Sequence, residues 1–257
     1  AMSAGVKIVS NLGAAHPISG AQRVREIAAE QDLKPPRVAV VMGDDLSETM
    51  SEVEIRDLPL MDGQDVIHRT MRAANVYLGA EPVAEAAATG ADVILVGRTT
   101  DSALALGPLM HEYGWTDLDR LAAGTITGHL LECGAQVSGA YFADPGKKDV
   151  PDLARVGFPI AEVQEDGSFV ITKPKGTGGL VDRATVTEQL LYEMHDPAAY
   201  LVPEASCDVT GLTLSDDGEN RIRVGGVKGH ARPEKLKATV SVDFGWMAEA
   251  EISYAGI

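Results

Sequence analysis

Cysteine is almost missing from this 257-residue chain: Cys133 and Cys207 are the two it has, and neither belongs to a CxxC pair. That leaves no disulfide framework and fits a reducing cytosol. Basic residues are scarce as well. Lys and Arg number 22 against 38 Asp and Glu, a net charge of −16. Nucleic acid and anionic membrane are thereby removed as partners, because each calls for a basic face. An anionic substrate must then find local positive charge. No apolar run reaches the roughly 18 residues of a spanning helix, and no signal-peptide pattern opens the chain. Neither G-x-G-x-x-G nor a Gly-Lys-Ser/Thr loop follows any strand, which speaks against nucleotide binding by a Rossmann-like half. No internal repeat is present. With 45% hydrophobic residues the chain has enough apolar content for a sizeable core, and it reads as a cytoplasmic protein.

What is there is organised around Arg72 to Pro108. A short apolar run, Asn75 to Leu78, reads as a strand. Gly79 turns the chain, and Pro82 stands at a helix start. The alanine-rich helix to Thr89 is capped by Gly90. Asp92 to Val96 follows with no polar alternation, which suits a parallel strand buried on both faces. The spacing predicts a βαβ unit, and a further helix from about Ser102. The fold class expected is α/β, mainly parallel sheet built from βαβ units, with a mixed or antiparallel β-rich C-terminal extension. Residues 1–140 form one Rossmann-like α/β half. Residues 141–257 form a second half with a glycine-rich loop and antiparallel strands, or the two make one continuous domain. Both ends read as cut from a longer chain: a strand begins at Val6, and Ile252 to Ile257 stops on what resembles a strand exit.

Candidate site residues gather where strands end, since ligands of open α/β sheets sit outside the carboxyl ends of strands. Val6 to Ser10 leads into Asn11, Gly13 and His16; a helix from about Ser19 to Gln31 follows. Arg37 to Met42 leads into Gly43, Asp44 and Asp45, and the Asp92 strand leads into Gly97, Arg98 and Asp101. If these strands are parallel, one end of the sheet holds an arginine and three aspartates able to orient a substrate or bind a divalent ion. Turn formation and helix capping are the ordinary alternatives for the aspartates. Residues 47–70 read as a surface excursion that includes His68.

Leu118 to Ala123 reads as a short helix, and Gly124 to Gly128 opens another segment. There His129, Glu132, Cys133 and Gln136 fall at i, i+3, i+4 and i+7, on one helical face. An imidazole, a carboxylate and a thiol on one stripe can supply an acid and base pair or a nucleophile with its base. They also fit a solvated stripe with one core cysteine. A strand over Ser168 to Thr172 runs into Lys173, Lys175, Gly176, Gly178 and Gly179, before a helix that Thr185 and Glu188 open as a capping box and that ends near Glu193. A glycine-rich loop with lysines ahead of a helix can hold an anion on backbone amides. From Cys207 on, alternation predicts a hairpin and a strand over Lys237 to Phe244 paired with Glu249 to Tyr254.

Several stretches together, in order along nearly the whole chain, resemble the acyclic terpene utilisation family. They are Asn11-x-Gly13 with Pro17, Gly43-Asp-Asp45, Tyr77 to Ala80, Gly97-Arg-x-x-Asp101, Gly128-His-Leu-Leu-Glu-Cys-Gly134, Lys175 to Gly179 and Leu191-Tyr-Glu-x-His-Asp-Pro197. His16 departs from the Asn usual in that family. The resemblance implies breakdown of branched terpenoid acids as coenzyme A thioesters. The expected function is acid/base chemistry on an acyl-CoA or related hydroxy carboxylic acid, by a lyase, hydratase or hydrolase. His129 and Glu132 are the expected acid and base pair, Cys133 the alternative nucleophile, and Arg98 with the Lys173 to Gly179 loop the anion holders. The rival is a non-catalytic acyl-CoA-binding or assembly subunit. Coenzyme A enters as part of the substrate, a divalent metal is the one cofactor considered, and the chain is expected to form a homo-oligomer.

Overall fold

The computed structural model describes residues 4–13, 16–61 and 69–252. In chain order the elements are β1 (Ile8–Ser10), α1 (Pro17–Glu30), β2 (Val38–Val41), α2 (Glu52–Arg56), β3 (Met71–Val76), α3 (Glu81–Ala88), β4 (Val93–Val96), α4 (Ala103–Tyr113) and α5 (Leu118–Glu132). They continue with β5 (Ile160–Val163), β6 (Phe169–Thr172), α6 (Arg183–Leu191), β7 (Tyr200–Leu201), β8 (Ser206–Asp208), β9 (Thr213–Asp216), β10 (Ile222–Gly225), β11 (Lys228–His230) and β12 (Ala238–Val242). His68 lies outside the described residues. The chain forms two compact units and crosses between them more than once: 1–78, 90–99 and 235–257 in the first, 79–89 and 100–234 in the second.

The first unit carries the parallel sheet. Its order is β1-β4-β2, with both neighbours parallel to β4. The uninterrupted run Val93–Val96 is buried at every position, as a central parallel strand demands. Helix α1 packs on this sheet, and Gly20 brings its backbone close to Leu95. Among the named strands parallel pairing is confined to this sheet, so the protein is α/β with a small parallel sheet, and antiparallel pairing prevails elsewhere. In particular β3 does not join β4 as a neighbouring strand. It pairs antiparallel with β12, and a single parallel bridge, Leu78 to Thr99, ties its continuation to the exit of β4. The partner expected for the 237–244 strand is thus corrected: Glu249 to Ile252 form no strand, and Tyr254 lies outside the described residues. The alternation holds along β12, with Ala238, Val240 and Val242 half-buried between exposed Thr239 and Ser241, but the strand ends at Val242 and Phe244 is 68% exposed. Arg72 and Asp243 close the pair with an ion pair on the surface.

The second unit is α-helices against antiparallel sheets. Strands β5-β6-β10-β9 form one sheet and β11-β8-β7 another. Phe169, Ile171, Ile222 and Val224 pack in one cluster with Ile126 and Leu130 of α5 and Val186 and Leu190 of α6. Each such fully buried side chain stabilises the fold by roughly 1.5–3 kcal/mol. Three expectations shift here. The Leu118 and His129 segments are one continuous helix, because Gly124 and Gly128 do not open a turn but let α5 approach α4: a Cβ on Gly128 would stand 2.6 Å from Cα and O of Ser102. The capping box of α6 exists three residues early, with Asp182 as the cap and Thr185 as its N3 partner. The helix also ends at Leu191, where Tyr192 turns extended and Glu193 adopts a positive φ of 56°.

Candidate active site

The strand exits of the first unit do bring Asp44, Gly97 and Arg98 together, through hydrogen bonds that tie the strand ends to one another. Asp44 is 6% exposed. Its Oδ2 accepts hydrogen bonds from the backbone N–H of Arg98 and from Asn75 Nδ2, both at 2.9 Å. A Cβ at Gly97 would run into this carboxylate, so glycine is required for the approach. Asp44 thereby clamps the ends of β2, β3 and β4. Asp45 caps a 3-10 turn, accepting from Ser47 N and Oγ at 2.9 and 2.6 Å. Gly13 likewise sits against the carbonyl of Val96, and His16 Nδ1 caps α1 by accepting from Ser19 N at 3.1 Å. Asn11 follows directly on the end of β1 in the chain. The Arg98 side chain is exposed, with its guanidinium 5.5 Å from the Tyr77 ring centroid.

The glycine-rich loop of the second unit spends the amides of residues 177–179 on protein carbonyls. The backbone N–H groups of Thr177, Gly178 and Gly179 donate to the carbonyls of Pro174, Arg155 and Pro151. Lys173 Nζ donates to Thr177 O at 2.7 Å. A Cβ at Gly178 would overlap Asp152 and one at Gly179 would crowd Ser138, so these glycines allow close packing against 138 and 151–157. Gly176 supplies a positive φ at the tip, and Lys175 is exposed beside it.

The cluster around His129 is different. His129 sits in the last turn of α5 and is 1% exposed. Its Nε2 lies 3.1 Å from the carbonyl oxygen of Leu190, and its Nδ1 lies 3.1 Å from Glu132 Oε1. A carbonyl can only accept, so Nε2 carries a proton. A neutral imidazole then has none left on Nδ1, and an ionised carboxylate cannot donate. The short Nδ1 to Oε1 contact therefore needs one proton held between the two groups, either as imidazolium and carboxylate or as imidazole and carboxylic acid. The Glu132 side chain is 14% exposed, so it is the end of the pair that opens outward.

Around this pair stand Tyr200, with its ring centroid 5.2 Å from that of His129, and Gln189, whose Nε2 donates to the His129 carbonyl at 3.1 Å. Asp101 belongs to the same neighbourhood, one residue before Ser102, the N-cap of α4. Cys133 forms the C-cap of α5, and so it and Gln136 fall beyond the helical stripe expected for them. Burial pushes the Cys133 thiol up, the Gln189 side chain opposes this, and Glu132, Glu193 and Asp101 push upward again. The balance favours the neutral thiol over the thiolate. Burial foremost, then Glu132, Cys207, Asp101 and Glu193, raise the Tyr200 phenol above its usual range. Among the described residues no group of three or more His, Cys, Asp or Glu is arranged to hold a metal ion. Sequence reading passed over Gln189, Glu193 and Tyr200. Gln189 was detectable: with Val186 and Leu190 it shares one face of α6 at i, i+3 and i+4, a polar residue set in a buried stripe.

A further carboxylate, Glu204, is 7% exposed and accepts from the backbone N–H of Ala80, at the start of α3. Burial raises its carboxyl above the ordinary range; the Ala80 hydrogen bond and Arg232 oppose this, and Glu81 adds to it. The folded chain therefore holds this proton more tightly than the unfolded chain, and stability falls as pH rises above the ordinary carboxylate range near 4.3. Glu204→Gln keeps an acceptor for Ala80 without the charge. Its thermal midpoint is expected to depend less on pH between about 5 and 8 than that of the wild type; equal slopes would contradict this.

Among the described residues no helix is long and apolar enough to cross a membrane. A family model described as acyclic terpene utilisation family protein AtuA matches residues 1–257. No curated protein and no solved structure matches the chain.

Proposed function

Because the chain belongs to the acyclic terpene utilisation family, we propose that it performs an acid/base step on a branched acyl-CoA or related hydroxy carboxylic acid. The observation that carries this reading is the single proton that His129 and Glu132 must share. Glu132 meets the substrate and takes or gives a proton at the reacting atom. His129, enclosed and fixed by Leu190, is a positioning residue that stabilises either protonation state of Glu132. Removal of a hydroxyl proton leads to carbon–carbon cleavage, removal of an α-proton leads to loss of water, and activation of water leads to thioester hydrolysis. All three use the same pair.

One observation favours the second reading, a non-catalytic acyl-CoA-binding subunit. His129 is enclosed and joins α5 to α6 through Leu190, which is also what a structural histidine does. The test is incubation of the purified chain with a branched hydroxyacyl-CoA, followed by mass spectrometry. A new species that has lost water or an acyl fragment supports the enzyme. A thioester that binds and is recovered intact supports the subunit.

A further inference from the structure

Strand β12 carries one row of backbone groups that pairs with no strand among the described residues. The N–H of Tyr77 donates to the carbonyl of Lys237, and the N–H of Asp243 to that of Thr70, so the odd-numbered residues from 237 to 243 turn their backbone toward β3. In an antiparallel ladder hydrogen-bonded and non-hydrogen-bonded pairs alternate. Ala238, Val240 and Val242 therefore point their N–H and C=O groups to the open side. The register shift in this pair puts its extra residue on β3, which runs from Ala73 to Met71 while β12 runs from Ser241 to Val242, so the open edge stays regular. A regular open edge is a template for another strand.

The residues along that edge say which strand. From Lys237 to Asp243 they read Lys-Ala-Thr-Val-Ser-Val-Asp, and turned about Val240 this run complements itself. Lys237 comes to lie opposite Asp243, Ala238 opposite Val242, and Thr239 opposite Ser241. One step further out Leu236 meets Phe244, two apolar side chains that the single chain leaves more than half exposed. Opposite charges, paired hydroxyls and apolar contacts are the cross-strand pairs that stabilise an antiparallel ladder. The backbone agrees with the side chains: in this register the outward-pointing residues 238, 240 and 242 face 242, 240 and 238, and each pair can exchange both of its hydrogen bonds. At a net charge of −16 two copies repel at long range, so association demands a surface where each cation finds an anion.

We propose that the open edge of β12 is an interface for a second copy of this chain. The two copies pair antiparallel about a two-fold axis at Val240, and their β3 and β12 ribbons join into one continuous antiparallel sheet. Asp243 accepts from Arg72 of its own chain and gains Lys237 of the second copy as a further cation. The proposal is independent of the acid/base reading, and its test requires no turnover.

Sedimentation of the full chain over a concentration series is expected to show a species of twice the chain mass. Zero-length carbodiimide cross-linking of mixed nitrogen-15-labelled and unlabelled chains then reads the register, the expected link joining a labelled Lys237 peptide to an unlabelled Asp243 peptide. Within one chain these two residues stand about 20 Å apart along an extended strand, so the link forms only between copies. Val240→Pro removes the central outward N–H without touching the ladder to β3, and is expected to weaken dimerisation at least tenfold. Lys237→Glu and Asp243→Lys keep the backbone and set like charges opposite each other. Each alone is expected to weaken dimerisation by roughly tenfold, and an equimolar mixture of the two to restore it, because every facing pair is then of opposite charge. The charge variants read the interface even where Val240→Pro disturbs folding. A wild-type chain that stays monomeric throughout the series overturns the proposal. So does a dimer that lacks the Lys237 to Asp243 link, or one that the charge variants and their mixture leave unchanged.

Discussion

Glu132→Gln is expected to lower turnover of a branched hydroxyacyl thioester by roughly 10²- to 10⁴-fold, the usual contribution of a positioned acid or base. The dissociation constant of the thioester should change by no more than about threefold. The substitution is informative because it separates chemistry from structure. Glutamine has the same length, and its amide N–H can donate to His129 Nδ1, which in the wild type lies 3.1 Å from Oε1. Leu190 O still fixes Nε2. The imidazole therefore keeps its position, while the group that can take up a proton is gone. Replacing His129 is less clean, since a change at a site only 1% exposed disturbs the core as well. A Glu132→Gln protein with wild-type turnover would remove the acid/base pair from the account, and one with no binding would assign Glu132 to structure.

Gly128→Ala is expected to lower the thermal midpoint by about 4–8 °C, and Gly124→Ala by clearly less. Both residues lie inside α5, where alanine gains about 1 kcal/mol of helix propensity over glycine. At Gly128 the added methyl would stand 2.6 Å from Cα and O of Ser102, backbone atoms that cannot rotate away. Overpacking of that kind costs about 1–3 kcal/mol, and a rigid neighbour places it at or beyond the upper end. A net loss of about 2 kcal/mol then translates into the shift given. At Gly124 the nearest atom is Leu106 Cδ1, also 2.6 Å away, but it ends a side chain that can change rotamer. Calorimetric unfolding of the two variants checks the contrast. A Gly128→Ala protein as stable as the wild type would mean that α4 and α5 are not held as closely as described.

The strands most plainly visible in the sequence were those whose neighbours do not matter to the pattern. Asp92 to Val96 and Ser168 to Thr172 are apolar runs, and they became β4 and β6, buried at every position. One is parallel and the other antiparallel, because pairing direction depends on which distant strand arrives and not on the run itself. That is why β3, read as the first strand of a βαβ unit, instead pairs with β12 from near the end of the chain. Gly124 and Gly128 misled for a related reason: a glycine that permits close helix packing looks locally like one that breaks a helix. At the site, the spacing of His129 and Glu132 was enough to place them side by side. The lone-pair requirement that makes them share a proton comes from Leu190, 61 residues away in sequence, and no local pattern carries it. The glycine-rich loop shows the reverse. Its composition fits an anion cradle, yet the amides of residues 177–179 are spent on carbonyls of residues 151, 155 and 174, which only tertiary structure reveals.

The central claim is the shared proton, and nitrogen-15 NMR of the His129 imidazole reads it directly. Shifts of both ring nitrogens are recorded in the wild type and in Glu132→Gln. The expected result is a proton on Nε2 in both proteins, with Nδ1 sharing a proton with Glu132 in the wild type and accepting from the glutamine amide in the variant. A neutral imidazole protonated on Nδ1, with Nε2 bare, would contradict the account.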